Sequence, residues 1–413
     1  MNTKFNWLNE PFIKQLVTVL GSDNIRFVGG AVRDSLIGRP IHDIDAATSL
    51  LPDEVIKRLK EASISVIPTG LSHGTVTAYS KEVSVEITTL RVDTETDGRR
   101  AKVTYTSDWS LDASRRDFTM NAIYVDNVGN CFDPFNGQKD LANGRVVFIG
   151  NAEDRIKEDA LRILRFFRFN AWFSLGGMNE EGLNACKQHQ NLISNLSIER
   201  IRDEFIKLLR APNPVAVLMA MFESRMITEF LPDFKILDRN EAQTRLENLV
   251  QIEGEFTASV NPLARLVCLY GLQYGEYKKW GRKFKLSKKQ INLLIQTYRA
   301  NNLFNKMVSQ YKNILLTHQM LIYRFGYDVY QLFYFVNASQ DIEFERDLSF
   351  FKKMQTWDVP VFPIRGNDLI ERGWTQGPDI AKALSLLENS WIESSFSLTK
   401  EQLILDVLSY PLK

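Results

Sequence analysis

With 413 residues the chain has room for about two to four domains, and an apolar fraction of 44% is ordinary for a globular protein with packed cores. A formal net charge of +1 excludes a globally basic polyanion binder, so any nucleic-acid contact must come from local patches. Cys131, Cys186 and Cys268 lie far apart without metal-ligand spacing, which excludes a disulfide framework or structural zinc site and fits a reducing compartment. Met1 to Trp7 lacks an apolar signal core and no run of about 18 apolar residues would span a bilayer, so the expected location is cytoplasmic.

Residues 1 to 24 read as an amphipathic lead-in helix with Phe12, Leu16, Val17 and Leu20 at helical spacing, broken by Gly21-Ser22-Asp23. Ile25 to Val28 then reads as a short buried strand. Gly29 and Gly30 let the backbone approach a ligand without a Cβ in the way, and Ala31 to Ile37 reads as helical turns whose free N–H groups would face an anion. Asp43 and Asp45 flank Ile44 in a second strand-like run, so alternation puts both carboxylates on one face and Ile44 in the core. Two such carboxylates repel each other unless a cation lies between them, and hard oxygen donors suit Mg²⁺ bound to substrate phosphates. Each short motif also occurs in plain turns and solvated strand ends; their union in one strand-helix-strand unit carries the reading.

Pro52 to Ala62 reads as a helix, followed by strands at Ile64 to Ile67, Gly74 to Tyr79 and Val83 to Thr89. In the last of these Val83, Val85 and Ile87 alternate with polar residues, so Glu86 is a candidate third carboxylate beside Asp43 and Asp45. Its alternative is an ordinary solvent-facing Glu. Arg91 to Ser114 is polar, contains Gly98 and reads as a mobile loop. Arg115 and Arg116 follow it, before a strand at Ile123 to Asp126 and a turn at Asp133 to Gly137. Arginines placed there could neutralise a triphosphate.

From about residue 152 the pattern is helical. Asp154 to Phe173 reads as one helix, with Ile156, Leu161, Leu164, Phe167 and Ala171 on its apolar face and Arg162, Arg165 and Arg168 in a row one turn after Asp159. A solvated salt-bridged face would look similar. Yet a carboxylate acceptor beside a guanidinium donor complements cytosine and adenine, which present an amino donor next to a ring-nitrogen acceptor. Guanine and uracil present the reverse and would leave both groups mispaired, at roughly 1 to 3 kcal/mol each. Side chains could thus replace a nucleic-acid template. Ser197 to Leu209 reads as a capped amphipathic helix, and helical segments continue through Val215 to Met226 and beyond. Lys278 to Lys289 is the densest basic run, and Trp280 and Phe284 within it suit RNA binding with stacking as well as a solvated basic helix-loop. Pro363 to Pro378 is turn-rich and precedes a final helix through Trp391.

Gly29-Gly-Ala-Val-Arg-Asp34, Asp43-Ile-Asp45, Arg115-Arg-Asp-Phe-Thr-Met-Asn-Ala122, Glu158-Asp-Ala-Leu-Arg-Ile-Leu-Arg165 and the helix from Ser197 occur in the order found in class II tRNA nucleotidyltransferases and bacterial poly(A) polymerases, a family the chain therefore resembles. Gly366 to Gly373 and Gly377-Pro378 also resemble the tail of CCA-adding members. The resemblance implies an α+β protein: a polymerase-beta-like nucleotidyltransferase head of small mixed sheet and helices over 1–150, a helical neck over 151–212 that reads the base, and a helical body and tail over 213–413 that bind tRNA. It further implies that Asp43 and Asp45 hold Mg²⁺, that Gly29, Gly30 and Arg33 meet the triphosphate with help from Arg116 and Arg115, and that Asp159 and Arg162 read the base while Arg165 and Arg168 complete the pocket. The implied reaction adds CCA to the tRNA 3′ end from CTP and ATP by two-metal phosphoryl transfer. CC-adding members have a shortened loop where this chain has Arg91 to Ser114, so the loop favours addition of the terminal A. A-only addition, poly(A) synthesis and an inactive RNA-binding protein are the alternatives.

Overall fold

The computed structural model describes residues 3–97, 100–227, 237–256, 260–271, 276–310, 313–340 and 348–408, within which lie two compact units, Met1–Asp233 and Phe234–Lys413. The first unit opens with a 3₁₀ turn, Thr3–Asn9, and helix α1, Pro11–Leu20, rather than one continuous helix. Pro11 starts α1 where its missing N–H costs nothing, and Ile13, Leu16, Val17 and Leu20 form the buried stripe. Phe12, expected there, is only half-buried.

A seven-stranded sheet follows, in the order β3-β4-β5-β2-β1-β8-β9. Its strands are β1 (Ile25–Val28), β2 (Ile44–Thr48), β3 (Ser65–Gly70), β4 (Thr75–Tyr79), β5 (Ser84–Thr89), β8 (Tyr124–Val125) and β9 (Cys131–Phe132). Neighbours are antiparallel except β2 and β5, which run parallel with Asp45 opposite Glu86. Helices α2 (Gly30–Leu36) and α3 (Pro52–Glu61) pack on this sheet. Alternation in β5 buries Val85 and Ile87 and exposes Glu86, as the sequence pattern requires.

The stretch expected to be a mobile loop is instead a β-hairpin, β6 (Arg91–Asp97) with β7 (Arg100–Tyr105), followed by helix α4 (Trp109–Ser114). A two-stranded ribbon apart from the sheet needs no apolar alternation, so its strands carried no signal beyond β-branched Val and Thr. Gly98 lies outside the described residues. Asp108 caps α4 by accepting from the N–H groups of Ser110 and Leu111. After β9 come α5 (Gly137–Ala142) and α6 (Ala152–Glu158), then α7 (Leu161–Phe173), α8 (Glu180–Gln188), α9 (Ile198–Leu209) and α10 (Val215–Glu223). Helix α7 is anchored to the sheet domain by aromatic rings: Phe166 stacks on Phe148 with centroids 5.5 Å apart, and Phe169 meets Phe118 at 5.2 Å. That contact sets where the polar side of α7 stands.

The second unit is helical among its described residues. Helices Arg239–Glu255 and Pro262–Tyr270 are joined by a buried ion pair, Arg265 Nη2 to Glu253 Oε2 at 2.6 Å. Leu316, Met320, Leu369, Leu387, Trp391 and Leu403 share a core that includes the C-terminal helices Pro378–Glu393 and Lys400–Leu408. The basic run from Lys278 enters helix Glu276–Lys283, but Trp280 and Phe284 are fully buried against each other, centroids 5.2 Å apart. The stacking role expected for these rings is therefore wrong: the helical spacing that interleaves them with lysines is the spacing that turns them inward. All three cysteines are free thiols. No described helix is long and apolar enough to cross a membrane.

Candidate active site

The glycine turn between β1 and α2 is shaped by its neighbour. Gly29 has φ +84° and ψ −137°, a conformation that suits glycine alone, and a Cβ added there would stand 3.2 Å from Asp45 Oδ2. The backbone of the turn is thus pressed against the Asp45 carboxylate. Asp43 precedes β2 on the exposed side, and Ile44 is buried as expected. Burial pushes the Asp45 pKa above the ordinary carboxylate value, and the charges of Glu86 and Asp43 add to this against the opposing pull of Arg116. Such a set of hard oxygen donors, mutually repelling, fits a divalent cation. The expected trio does not form a cage: among the described residues no three His, Cys, Asp or Glu side chains gather closely enough to hold an ion, and Glu86 is exposed. The ligand candidates are accordingly Asp43 and Asp45, with Glu86 acting on Asp45 through charge.

Beside Asp45 lies a cavity of about 400 Å³. Its walls are Gly29, Gly30 and Arg33 from the glycine turn and α2, Asp45 from β2, Arg116, Asp117 and Asn121 from the segment before β8, and Asp159, Arg162, Arg165, Arg168 and Phe169 from the start and face of α7. Sequence-predicted residues separated by more than a hundred positions therefore share one space. Asp43, Glu86 and Arg115 are not among its walls.

Arg33 is held from three sides. Its Nε and Nη2 donate to both oxygens of Asp34 at 2.9 and 3.1 Å, its Nη1 donates to Asn121 Oδ1 at 2.9 Å, and its guanidinium lies 4.4 Å over the Phe173 ring. Arg116 donates to Tyr124 Oη at 3.0 Å and to Asp112 Oδ2 at 3.3 Å; burial opposes its charge, but Tyr124 and Asp112 more than restore it and raise its pKa. Arg115 instead spends its guanidinium on Asp112 Oδ1 at 2.8 and 2.9 Å, so of the two adjacent arginines the structure brings only Arg116 to the cavity.

The expected single helix over Asp154–Phe173 is two helices broken at Asp159, whose φ of −151° and ψ of 106° are extended. The cause is local: the Asp159 carboxylate accepts the Leu161 N–H at 3.1 Å and so takes a donor that a continuous helix would have bonded elsewhere. Its other oxygen accepts from Arg200 Nη2 of α9 at 2.7 Å. Arg162 donates to Glu158 Oε2 at 2.6 Å and to the carbonyls of Arg155 and Arg115 at 2.8 and 3.2 Å. Both side chains are fixed, and both keep capacity: Arg162 has further N–H groups and the carboxylate further lone pairs.

Two residues to which the sequence pattern assigns no role organise this wall. Asp117 is buried and accepts from Arg165 Nε at 2.6 Å, Asn121 Nδ2 at 2.9 Å and the Phe118 N–H at 2.8 Å. Burial favours its neutral form, but the Arg165 charge and these hydrogen bonds override it and hold the pKa at about 2. Glu204 of α9 is buried, with Oε2 3.0 Å from Arg168 Nε and Oε1 3.9 Å from Arg165 Nη1. Burial brings the Arg168 pKa down to about 10 in spite of Glu204. The signal was present in the sequence: Glu204 sits on the apolar stripe of its helix with Ile201, Phe205 and Leu208, a position where a carboxylate needs a partner.

Comparison with known proteins gives a consistent picture. Residues 25–147 match the family described as poly A polymerase head domain, and residues 178–237 the probable RNA and SrmB-binding site of polymerase A. The chain is 31% identical over 408 residues to CCA tRNA nucleotidyltransferase 1, mitochondrial, of Mus musculus, covering 97% of this chain and 91% of that protein. It is 38% identical over 264 residues to the CCA-adding enzyme of Streptococcus gordonii, 63% of each. A crystal structure of the Bacillus stearothermophilus CCA-adding enzyme in complex with CTP aligns with a TM-score of 0.76 at 26% identity over 97% of both chains. The Thermotoga maritima CCA-adding enzyme complexed with tRNA shares the fold, with a TM-score of 0.71 at 21% identity over 98% of this chain and 97% of that one.

Proposed function

The chain belongs to the CCA tRNA nucleotidyltransferase family, and on that premise we propose that it adds C, C and A to the 3′ end of tRNA from CTP and ATP without a nucleic-acid template. The observation that carries the reading is the shared cavity, where Gly29, Arg33 and Asp45 face Asp159 and Arg162. Chemistry that is indifferent to the base and recognition of the base thus occur within one nucleotide's reach.

Asp43 and Asp45 would hold a divalent cation, which we assign as Mg²⁺ from the oxygen donors and the triphosphate substrate. When bound, that ion supplies charge neutralisation at the reacting phosphate and lowers the pKa of the attacking hydroxyl. Arg33 and Arg116 neutralise the triphosphate and, being fixed by Asp34, Asn121, Asp112 and Tyr124, need little reorganisation to do so. The RNA 3′-oxygen forms a bond to the α-phosphorus, the bond from that phosphorus to the bridging oxygen breaks, and pyrophosphate leaves as the hydroxyl proton passes to solvent. Asp159 and Arg162 hold the base edge with their remaining acceptor and donor sites, and Arg165 and Arg168 close the pocket.

The test is incubation with Mg²⁺, each labelled nucleotide and tRNA ending at the discriminator base. Addition of C, C and A followed by arrest is expected. A long A tract, addition of A alone, or no incorporation overturns the reading.

A further inference from the structure

A second cavity of about 410 Å³ adjoins the nucleotide cavity and shares Arg33, Arg168 and Phe169 with it. Beyond that common wall it is lined by Arg39 and Pro40 of the segment between α2 and β2 and by Lys207 and Arg210 at the end of α9. Five cationic side chains thus line a space whose lining carboxylate, Asp34, is chelated by Arg33, and Glu204 offsets two of them, standing 3.0 Å from Arg168 and 3.8 Å from Lys207. Nothing assigned to nucleotide addition uses Arg39, Lys207 or Arg210.

The aromatic residues of the cavity decide what kind of ligand it suits. Trp172 and Phe173 could stack a base, but their faces are taken: the Arg39 guanidinium lies 4.7 Å over Phe173 and 5.9 Å over Trp172, and Arg33 covers Phe173 at 4.4 Å. Phe169 is likewise covered by Arg168 at 4.4 Å. The rings therefore serve as platforms that hold arginines, which leaves the N–H edges of those arginines as the recognition surface. Arg39 is further fixed by donating from Nη2 to the Trp172 carbonyl at 2.8 Å, while its Nη1 is buried with no acceptor among the described residues. A cavity whose lining is rich in cationic side chains, and whose one lining carboxylate is already chelated, suits an anion.

We propose that this cavity is a phosphate-binding site separate from the nucleotide cavity. Inorganic pyrophosphate and a backbone phosphate of the RNA strand offer the same chemistry to it. Because Arg33 and Arg168 belong to both walls, a phosphate here draws on two arginines of the nucleotide cavity.

The test uses the full chain with its nucleotide cavity saturated by a non-hydrolysable CTP analogue. Two variants are compared with the wild type: Arg39→Gln in the α2–β2 segment, and Lys207→Gln/Arg210→Gln at the end of α9. Inorganic pyrophosphate is titrated by calorimetry, and tRNA binding is measured against salt. If the site takes the free anion, pyrophosphate binds the saturated wild type with one equivalent and both variants weaken it about tenfold or more. If it takes a strand phosphate, pyrophosphate does not bind but the salt slope of tRNA binding falls by about 0.7 for a lost single-strand contact. Unchanged pyrophosphate and tRNA binding in both folded variants overturns the proposal. Neither arm depends on catalysis, so failure of nucleotide addition leaves the result readable.

Discussion

Replacing Asp117 by Asn keeps its shape and removes its charge, and the structure sets the size of the effect. In the folded protein the pKa of this carboxyl falls from 3.8 to about 2, held down by Arg165 and three hydrogen bonds against the opposing effect of burial. At 1.36 kcal/mol per pH unit that is about 2 kcal/mol of stability carried by the ionised form. The sign follows from the depression: the contribution is fully present above about pH 4 and is lost as pH falls through about 2. About half of it should remain at pH 3 by the same linkage. Asp117 is only 8% exposed, so solvent screening takes little from this figure. Chemical or thermal unfolding of wild type and Asp117→Asn should therefore differ by about 2 kcal/mol at pH 7 and by about half as much at pH 3. A gap that is absent at pH 7, or that does not narrow with acid, would refute the ion-pair account. Nucleotide addition should fall as well, because Asp117 orients Asn121 and Asn121 orients Arg33.

Asp45→Asn should behave in the opposite way toward stability. Its pKa is raised in the fold, so ionisation costs stability as pH rises past the ordinary carboxylate range, and removing the charge should hold or raise the melting temperature at pH 7 while abolishing addition. Mg²⁺ at about a hundredfold its dissociation constant should stabilise the wild type by roughly 2.7 kcal/mol and leave Asp45→Asn unmoved; an equal rise in both would remove Asp45 from the metal site. Gly29→Ala forces a side chain into φ +84° at roughly 1–3 kcal/mol and sets a Cβ 3.2 Å from Asp45 Oδ2. A displaced carboxylate should lower kcat by about a hundredfold with a smaller change in KM for CTP, and wild-type turnover in the folded variant would show that the turn does not position Asp45.

What could be read from the sequence was what is local. The glycine turn, the Asp43-Ile44-Asp45 alternation and the arginine row at three-residue spacing each follow from backbone geometry within ten residues, and Arg33, Asp45, Arg162, Arg165 and Arg168 all reach the cavity. The hairpin β6–β7 was hidden because its strands pair with each other in a sheet of their own, apart from the seven-stranded sheet whose core imposes alternation. The break at Asp159 was hidden because the apolar period continues through it, while a side-chain hydrogen bond of two residues' span decides the backbone. Long-range partners were beyond periodicity altogether: Asp159 meets Arg200, Arg165 meets Asp117 and Arg33 meets Asn121, across 41, 48 and 88 positions.

That distribution of partners has a consequence for specificity. A template of nucleic acid discriminates bases because its own edges are fixed by stacking; on the proposed reading the fixed edges are the side chains of Asp159 and Arg162, and each is immobilised by groups from other segments. Asp159 is held by Arg200 of α9 and by the N–H of Leu161, and Arg162 by Glu158 of α6 and by the carbonyl of Arg115. A free carboxylate or guanidinium could turn to meet guanine or uracil and recover the lost hydrogen bonds, which would erase the penalty of roughly 1–3 kcal/mol for each mispaired group. On the proposed reading of Asp159 and Arg162 as the base-contacting pair, discrimination between bases should therefore depend on Arg200 and Glu158, which keep that pair from adapting, as well as on the pair itself.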